Sequence, residues 1–298
     1  MTDKNILHMV TPTKHMSPFD VNMAADAGFD VLATYTDATL EEITGLVQDA
    51  IFSRPPKLGV RTGFFIGGKD AILALDMLDH ARKALVPPFG LSLFADPAGS
   101  FTTAAAMVAV VEALLAKTTH LELKGARIAI FGATGVVGFS AGVIAALEGA
   151  EVTLVGYDGP DRVKHLAQEI ARRFKAEANF ADGSSEDKKT QILDGTDIVL
   201  AAGKAGVQVL STAQIASAPS LLIACDVNAV PPSGIEGLSV SSNGEPIGDT
   251  KVLGIGALAV GAIKYKTQFG LLKQMTEAKK PVTYDFRDAF KFARDLVG

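Results

Sequence analysis

The chain has 298 residues, 48% of them hydrophobic, enough for one large core or two moderate ones, and typical domain sizes favour two. Its 28 Lys and Arg against 33 Asp and Glu leave a net charge of -5 without a basic tail or cluster, which argues against nucleic-acid or anionic-membrane partners and for a small molecule. The lone Cys225 excludes an internal disulfide, and the five histidines (8, 15, 80, 120, 165) contain no i,i+4 pair, so no metal site is expected.

In chain order, short apolar runs at 5–10, 30–34, 62–66 and 91–94 read as strands. They are separated by stretches such as TLEEITGLVQDAIF and KDAILALDMLDHARKAL, whose apolar residues recur at helical spacing. This alternation predicts an α/β fold, a mostly parallel sheet with helices on its faces. DPAGS at 96–100 breaks the pattern, and FTTAAAMVAVVEALLAKT then reads as a long connecting helix, which sets a domain boundary there. Glu112 interrupts its apolar run, so no membrane span is expected. MTDKNILHMV lacks a long apolar core behind positive charge, which makes a cytoplasmic location the expectation.

The second domain reads ARIAIFG, AEVTLVGY, DIVLAAG and LLIACDV as strands, with helices between the first three, and FADGSSEDKK at 180–189 as solvated surface. Its most informative stretch is FGATGVVGFSAGVIAAL, residues 131–147: a buried-type strand, a glycine turn and a helix of small residues. The N–H groups and positive dipole end of such a helix favour an anion, and Gly132, Gly135 and Gly138 would let a phosphate approach, with Thr134, Val136 and Val137 between them. The spacing is GxxGxxG rather than GxGxxG, so tight helix–strand packing is an equally available reading.

The next strand ends at Tyr157 and Asp158, the latter 20 residues past Gly138, where a dinucleotide-binding unit places an acid on the adenosine ribose. The acid favours NAD. Arg162 or Lys164, just beyond, would offset its repulsion of a 2′-phosphate, so NADP stays open, as does the plain reading of Asp158 as the start of a turn with Gly159 and Pro160. AAGKAG at 201–206 brings Ala202 and Gly203 to a third strand end, near the expected nicotinamide half, or is an ordinary loop.

The pieces SPFDVNMAADAGFD, FFIGGKD, DPAGSFTTAAA, GATGVVG, AAGKAG, DVNAVPPSGIEG and GIGALAVGAIKYK, in this order and spacing, resemble the bacterial NAD(P)-dependent methylenetetrahydromethanopterin dehydrogenases of methylotrophic one-carbon metabolism. The resemblance runs nearly end to end. It implies a Rossmann doubly wound domain at 104–261 and a pterin-substrate α/β domain at 1–103, completed by a C-terminal helix within 262–298. It also implies a hydride transferred from methylenetetrahydromethanopterin to NAD or NADP without a metal, and a homo-oligomer.

Three residues match the family's proposed active-site positions. Asp20 in SPFDVN, one turn into a helix, would accept hydrogen bonds from pterin N–H groups, or simply stabilise the helix start. Lys264 in GAIKYKTQ shares a helix face with Gly261 and Gln268, facing the cleft implied between the lobes, although most lysines are solvated surface. Gln268 stands where strictly NADP-dependent relatives carry histidine, which favours orientation over proton transfer. Those relatives also place a basic pair where this chain has Tyr157 and Asp158, so the pattern looks like the form that uses both cofactors. Gly67 and Gly68 in FIGGKD, and Asn228 in DVNAVPP, are further candidates for ligand contact or for turning the chain. Three alternatives remain: a methylenetetrahydrofolate dehydrogenase, an amino-acid or shikimate-type dehydrogenase, and a non-catalytic dinucleotide-binding sensor.

Overall fold

The computed structural model describes residues 3–298, which divide into two compact units: residues up to 102 with 265–292, and 103–264 with 293–298.

The first unit alternates β1 (Ile6–Val10), α1 (Pro18–Asp26), β2 (Val31–Tyr35), α2 (Ile43–Phe52), β3 (Thr62–Ile66), α3 (Ala71–Ala84) and β4 (Ser92–Ala95). All five strands of its sheet run parallel in the order β12-β4-β3-β1-β2, where β12 is the short Thr283–Tyr284. Phe64 and Phe65, adjacent on β3, are both fully buried. Side chains of consecutive strand residues point to opposite faces, so helices must cover both, and that is why β3 reads as an unbroken apolar run.

In the second unit, the late part of α4 (Ser100–Thr119) leads into β5 (Arg127–Phe131), α5 (Val136–Leu147), β6 (Glu151–Gly156), α6 (Asp161–Phe174), β7 (Asn179–Asp182), α7 (Glu186–Asp194), β8 (Ile198–Ala201), α8 (Thr212–Ser217) and β9 (Ile223–Asp226). Two further strands, β10 (Asn243–Pro246) and β11 (Leu253–Ile255), lead into helices α9 (Ala257–Glu277) and α10 (Phe286–Val297), of which residues 265–292 belong to the first unit. The sheet order is β10-β11-β9-β8-β5-β6-β7, parallel throughout except at β10. The mostly parallel α/β architecture expected from the alternating pattern is thus present in both units, and the second has the doubly wound strand order that the resemblance implied.

Two expectations need correction, and four elements were missed. The stretch at 180–189 is mostly exposed, as expected, but it is not a loop: it forms the end of edge strand β7 and the start of α7, which Ser185 caps by accepting from the Lys188 N–H. Strands β10 to β12 and helix α8 were not read from the sequence. Glu112 does not disqualify its segment, because 97–119 is long and apolar enough to cross a membrane by length and composition. Two thirds of its most apolar window is buried inside the fold, as in a core helix, and Glu112 pairs with Arg294 at 2.7 Å.

Candidate active site

In the second unit the chain runs outward from β5 to β6 and β7, then returns to the other side of β5 for β8 and β9. The β5/β8 boundary is therefore the point where strand order reverses, and ligands of such sheets bind in the crevice outside the carboxyl ends there. The GATGVVG turn leaves β5 at this point. Ala202 N–H donates to the Phe131 carbonyl at 2.8 Å, which ties the two strand ends together.

The three glycines of the turn have different physical causes. Gly132 has φ +80, and a Cβ on it would stand 2.2 Å from the Ala202 carbonyl oxygen. Gly138, in the first turn of α5, packs against the same corner, where its Cβ would be 2.4 Å from the Gly132 oxygen. Both are required by the chain's approach to itself. Gly135 is not: its φ is -83, its N–H closes the turn onto the Gly132 carbonyl at 3.0 Å, and a Cβ there would find its nearest neighbour at 3.4 Å. Gly135 is the exposed N-cap of α5 and no side chain caps the helix, so the first-turn N–H groups from Val136 to Gly138 lack a side-chain cap beside half-buried Thr134. This combination fits the pyrophosphate of a dinucleotide.

At the end of β6 the chain turns sharply, and a Cβ on Gly156 would lie 2.0 Å from the Gly159 oxygen. The turn puts Tyr157 and Asp158 outside, where Arg162 Nη1 donates to Tyr157 Oη at 3.1 Å and to Asp158 Oδ2 at 3.2 Å. Lys164 sits apart, its Nζ 6.0 Å from the centre of the Phe180 ring.

The ends of β8 and β9 carry Ala202, Gly203 and Asn228. The Asn228 side chain accepts from Gly206 N–H at 3.2 Å and Val230 N–H at 2.9 Å, and donates to the Pro232 carbonyl at 2.9 Å. Of the two roles weighed for it, these bonds display the turn-capping one. Beside it stands a residue that sequence reasoning missed. Asp226 is buried and accepts from the N–H groups of Asn228 (2.9 Å), Gly234 (2.7 Å) and Ile235 (3.1 Å). Burial pushes its carboxyl above the ordinary range, against the pull of those donors. An Asp ending an apolar strand before a Pro- and Gly-rich loop was the available signal. Burial, with the Asp226 charge beside it, pushes the pKa of the neighbouring, fully buried Cys225 thiol well above its usual value.

In the first unit the order reverses between β1 and β3, and Gly67 N–H donates to the Val10 carbonyl at 2.8 Å across that boundary. Gly68, at φ +117, lies against Pro12. Helix α1 starts beyond the β1 end with Ser17 as cap, accepting from Asp20 N–H. Asp20 is 1% exposed and its Oδ1 accepts from Nε2 of fully buried Gln268 at 2.7 Å, a bond that joins α1 to α9. Lys264, half-buried, is on α9 one turn before Gln268.

Two cavities lie elsewhere, one of about 250 Å³ around Arg127, Glu151 and Asn179, and one of about 580 Å³ along α8 and 249–252. Neither is lined by a site residue expected from the sequence. Among the described residues, no group of three or more His, Cys, Asp or Glu is placed to hold a metal ion.

The family model described as "Methylene-tetrahydromethanopterin dehydrogenase, N-terminal" matches residues 18–98. The NAD(P)-dependent methylenetetrahydromethanopterin dehydrogenase of Methylorubrum extorquens is 53% identical over 295 residues, covering 99% of each chain. A second protein of that organism, bifunctional protein MdtA, is 29% identical over 99% of each chain. In fold, the chain is similar to a shikimate 5-dehydrogenase from Listeria monocytogenes solved with shikimate and NAD, at a TM-score of 0.51 and 14% identity, covering 100% of this chain and 99% of that one. On its end-to-end identity, the chain belongs to the NAD(P)-dependent methylenetetrahydromethanopterin dehydrogenase family.

Proposed function

We propose that this protein oxidises methylenetetrahydromethanopterin to the methenyl form by hydride transfer to NAD or NADP. The observation that carries this reading is the 53% identity over 99% of both chains to an enzyme of that name. The exposed N-cap glycine at the strand-order reversal supports the dinucleotide half. Residues 104–261 hold the dinucleotide, which supplies the hydride acceptor; residues 1–103 and 262–298 hold the pterin.

On this reading Val136, Val137 and Gly138 present N–H groups to the pyrophosphate, Gly132 and Thr134 shape the turn, and Tyr157, Asp158 and Arg162 meet the adenosine ribose. Ala202, Gly203 and Asn228 shape the nicotinamide end. The product cation is stabilised by its own flanking nitrogens, so the protein's task is to orient two flat molecules and tune charge. Asp20 anchors pterin N–H groups, Gln268 fixes that carboxylate in place through the 2.7 Å bond, and Lys264 lies on the pterin side. The protein acts as a homo-oligomer in the cytoplasm.

Lys264→Ala tests the site. Turnover with methylenetetrahydromethanopterin should fall at least tenfold, while the NADH dissociation constant stays within twofold. Near-normal turnover would remove Lys264 from the site.

A further inference from the structure

Two cations follow the adenosine-side strand, and the structure separates them. Arg162 reaches back from the first turn of α6 to the Tyr157 hydroxyl and the Asp158 carboxylate, with its guanidinium carbon 5.7 Å from the Tyr157 ring centre. Lys164 is directed toward Phe180 on β7. The backbone beneath Tyr157 and Asp158 has little freedom, because Gly156 and Gly159 are in near contact and Gly183 N–H donates to the Gly156 carbonyl at 2.8 Å.

Resting on the dinucleotide reading above, we propose that Arg162 is the cation that admits the 2′-phosphate of NADP, and that it does so by exchanging the Asp158 carboxylate for the phosphate while Tyr157 keeps it in reach. With NAD, Asp158 accepts the ribose hydroxyls and Arg162 remains against it as counter-ion. With NADP, the guanidinium turns its paired N–H donors to the phosphate, a group whose geometry suits a fork donor, and so screens Asp158 from it.

The exchange is cheap. The Arg162–Asp158 pair is 54% and 40% exposed, and pairs that open to water contribute no more than about a fivefold factor. A phosphate carrying nearly two charges outcompetes one carboxylate for the same guanidinium. Dual cofactor use then needs no rearrangement of the fold, only the rotation of one side chain about its Tyr157 anchor.

The test is fluorescence titration of NADH and NADPH onto the full chain and its Arg162→Gln and Lys164→Gln variants, with thermal unfolding as the folding control. The ratio of the NADPH to the NADH dissociation constant should rise at least tenfold in Arg162→Gln and move less than twofold in Lys164→Gln. An unchanged ratio in Arg162→Gln, or a selective loss of NADPH in Lys164→Gln, overturns the assignment. If the unaltered protein binds neither dinucleotide, the dinucleotide reading falls, and this inference with it.

Discussion

Gly135→Ala separates a phosphate-binding turn from a turn that merely packs. At φ -83 an alanine fits the backbone, and its Cβ would have ordinary contact, 3.4 Å from the Gly132 oxygen and 3.9 Å from the Ala202 oxygen. Alanine is a poorer N-cap than glycine by about 0.5–1 kcal/mol, while the lower entropy of the unfolded chain returns about 0.4–1 kcal/mol, so stability should move by less than about 0.5 kcal/mol. The same methyl stands where a pyrophosphate would approach the helix start. An NADH dissociation constant raised at least tenfold, about 1.4 kcal/mol, is expected. Gly132→Ala is the contrasting control: left-handed backbone costs an alanine about 1–2 kcal/mol, and relieving a 2.2 Å approach to Ala202 brings the total to about 3 kcal/mol or more. The assay is NADH fluorescence titration paired with urea unfolding of both variants. A Gly135→Ala protein that is fully stable and binds NADH normally would refute the phosphate role of the turn.

Gln268→Ala removes a donor to a buried carboxylate and should cost about 2 kcal/mol of unfolding free energy while lowering turnover more than NADH affinity. Equal loss of both activities in a destabilised protein would leave Gln268 a purely structural residue. Asp226→Ala strips three backbone N–H groups of their acceptor and should cost about 3 kcal/mol by urea unfolding; a loss under about 1 kcal/mol would mean that the loop re-pairs without it. Glu169, hydrogen-bonded to Arg172 and Arg173, is held down to about 2 from an ordinary 4.5. A depressed carboxyl stabilises above its unfolded value and loses that contribution as pH falls through its folded one. Glu169→Gln should therefore cost about 1 kcal/mol above pH 4.5, with the difference shrinking toward pH 2. A pH-independent difference in melting would contradict this.

The strands that place the site were legible because strands buried on both faces are continuous apolar runs: TGFFI, RIAIF and IVLA all stand out. Edge strand β7, reading NFAD with exposed Phe180, carries no such signal, and β12 is only two residues long. The turn after β5 was recognisable, but not the division of labour within it. Only the return of β8 beside β5 shows that Gly132 meets Ala202 and that Gly135 meets nothing closer than 3.4 Å. The Asp20–Gln268 bond joins positions 248 apart in sequence; the family resemblance pointed at Lys264 and Gln268, and helical spacing put them on one face, but neither revealed the carboxylate that Gln268 holds.

The central claim is tested most directly by mixing the purified protein with NAD or NADP and methylenetetrahydromethanopterin, with methylenetetrahydrofolate in parallel, and following the near-ultraviolet absorbance of reduced nicotinamide. Rapid reduction of both dinucleotides with the methanopterin carrier, and much slower reduction with folate, is the predicted result. Tight dinucleotide binding without reduction by either carrier would contradict the account and leave the protein a dinucleotide-binding sensor or a dehydrogenase of another substrate.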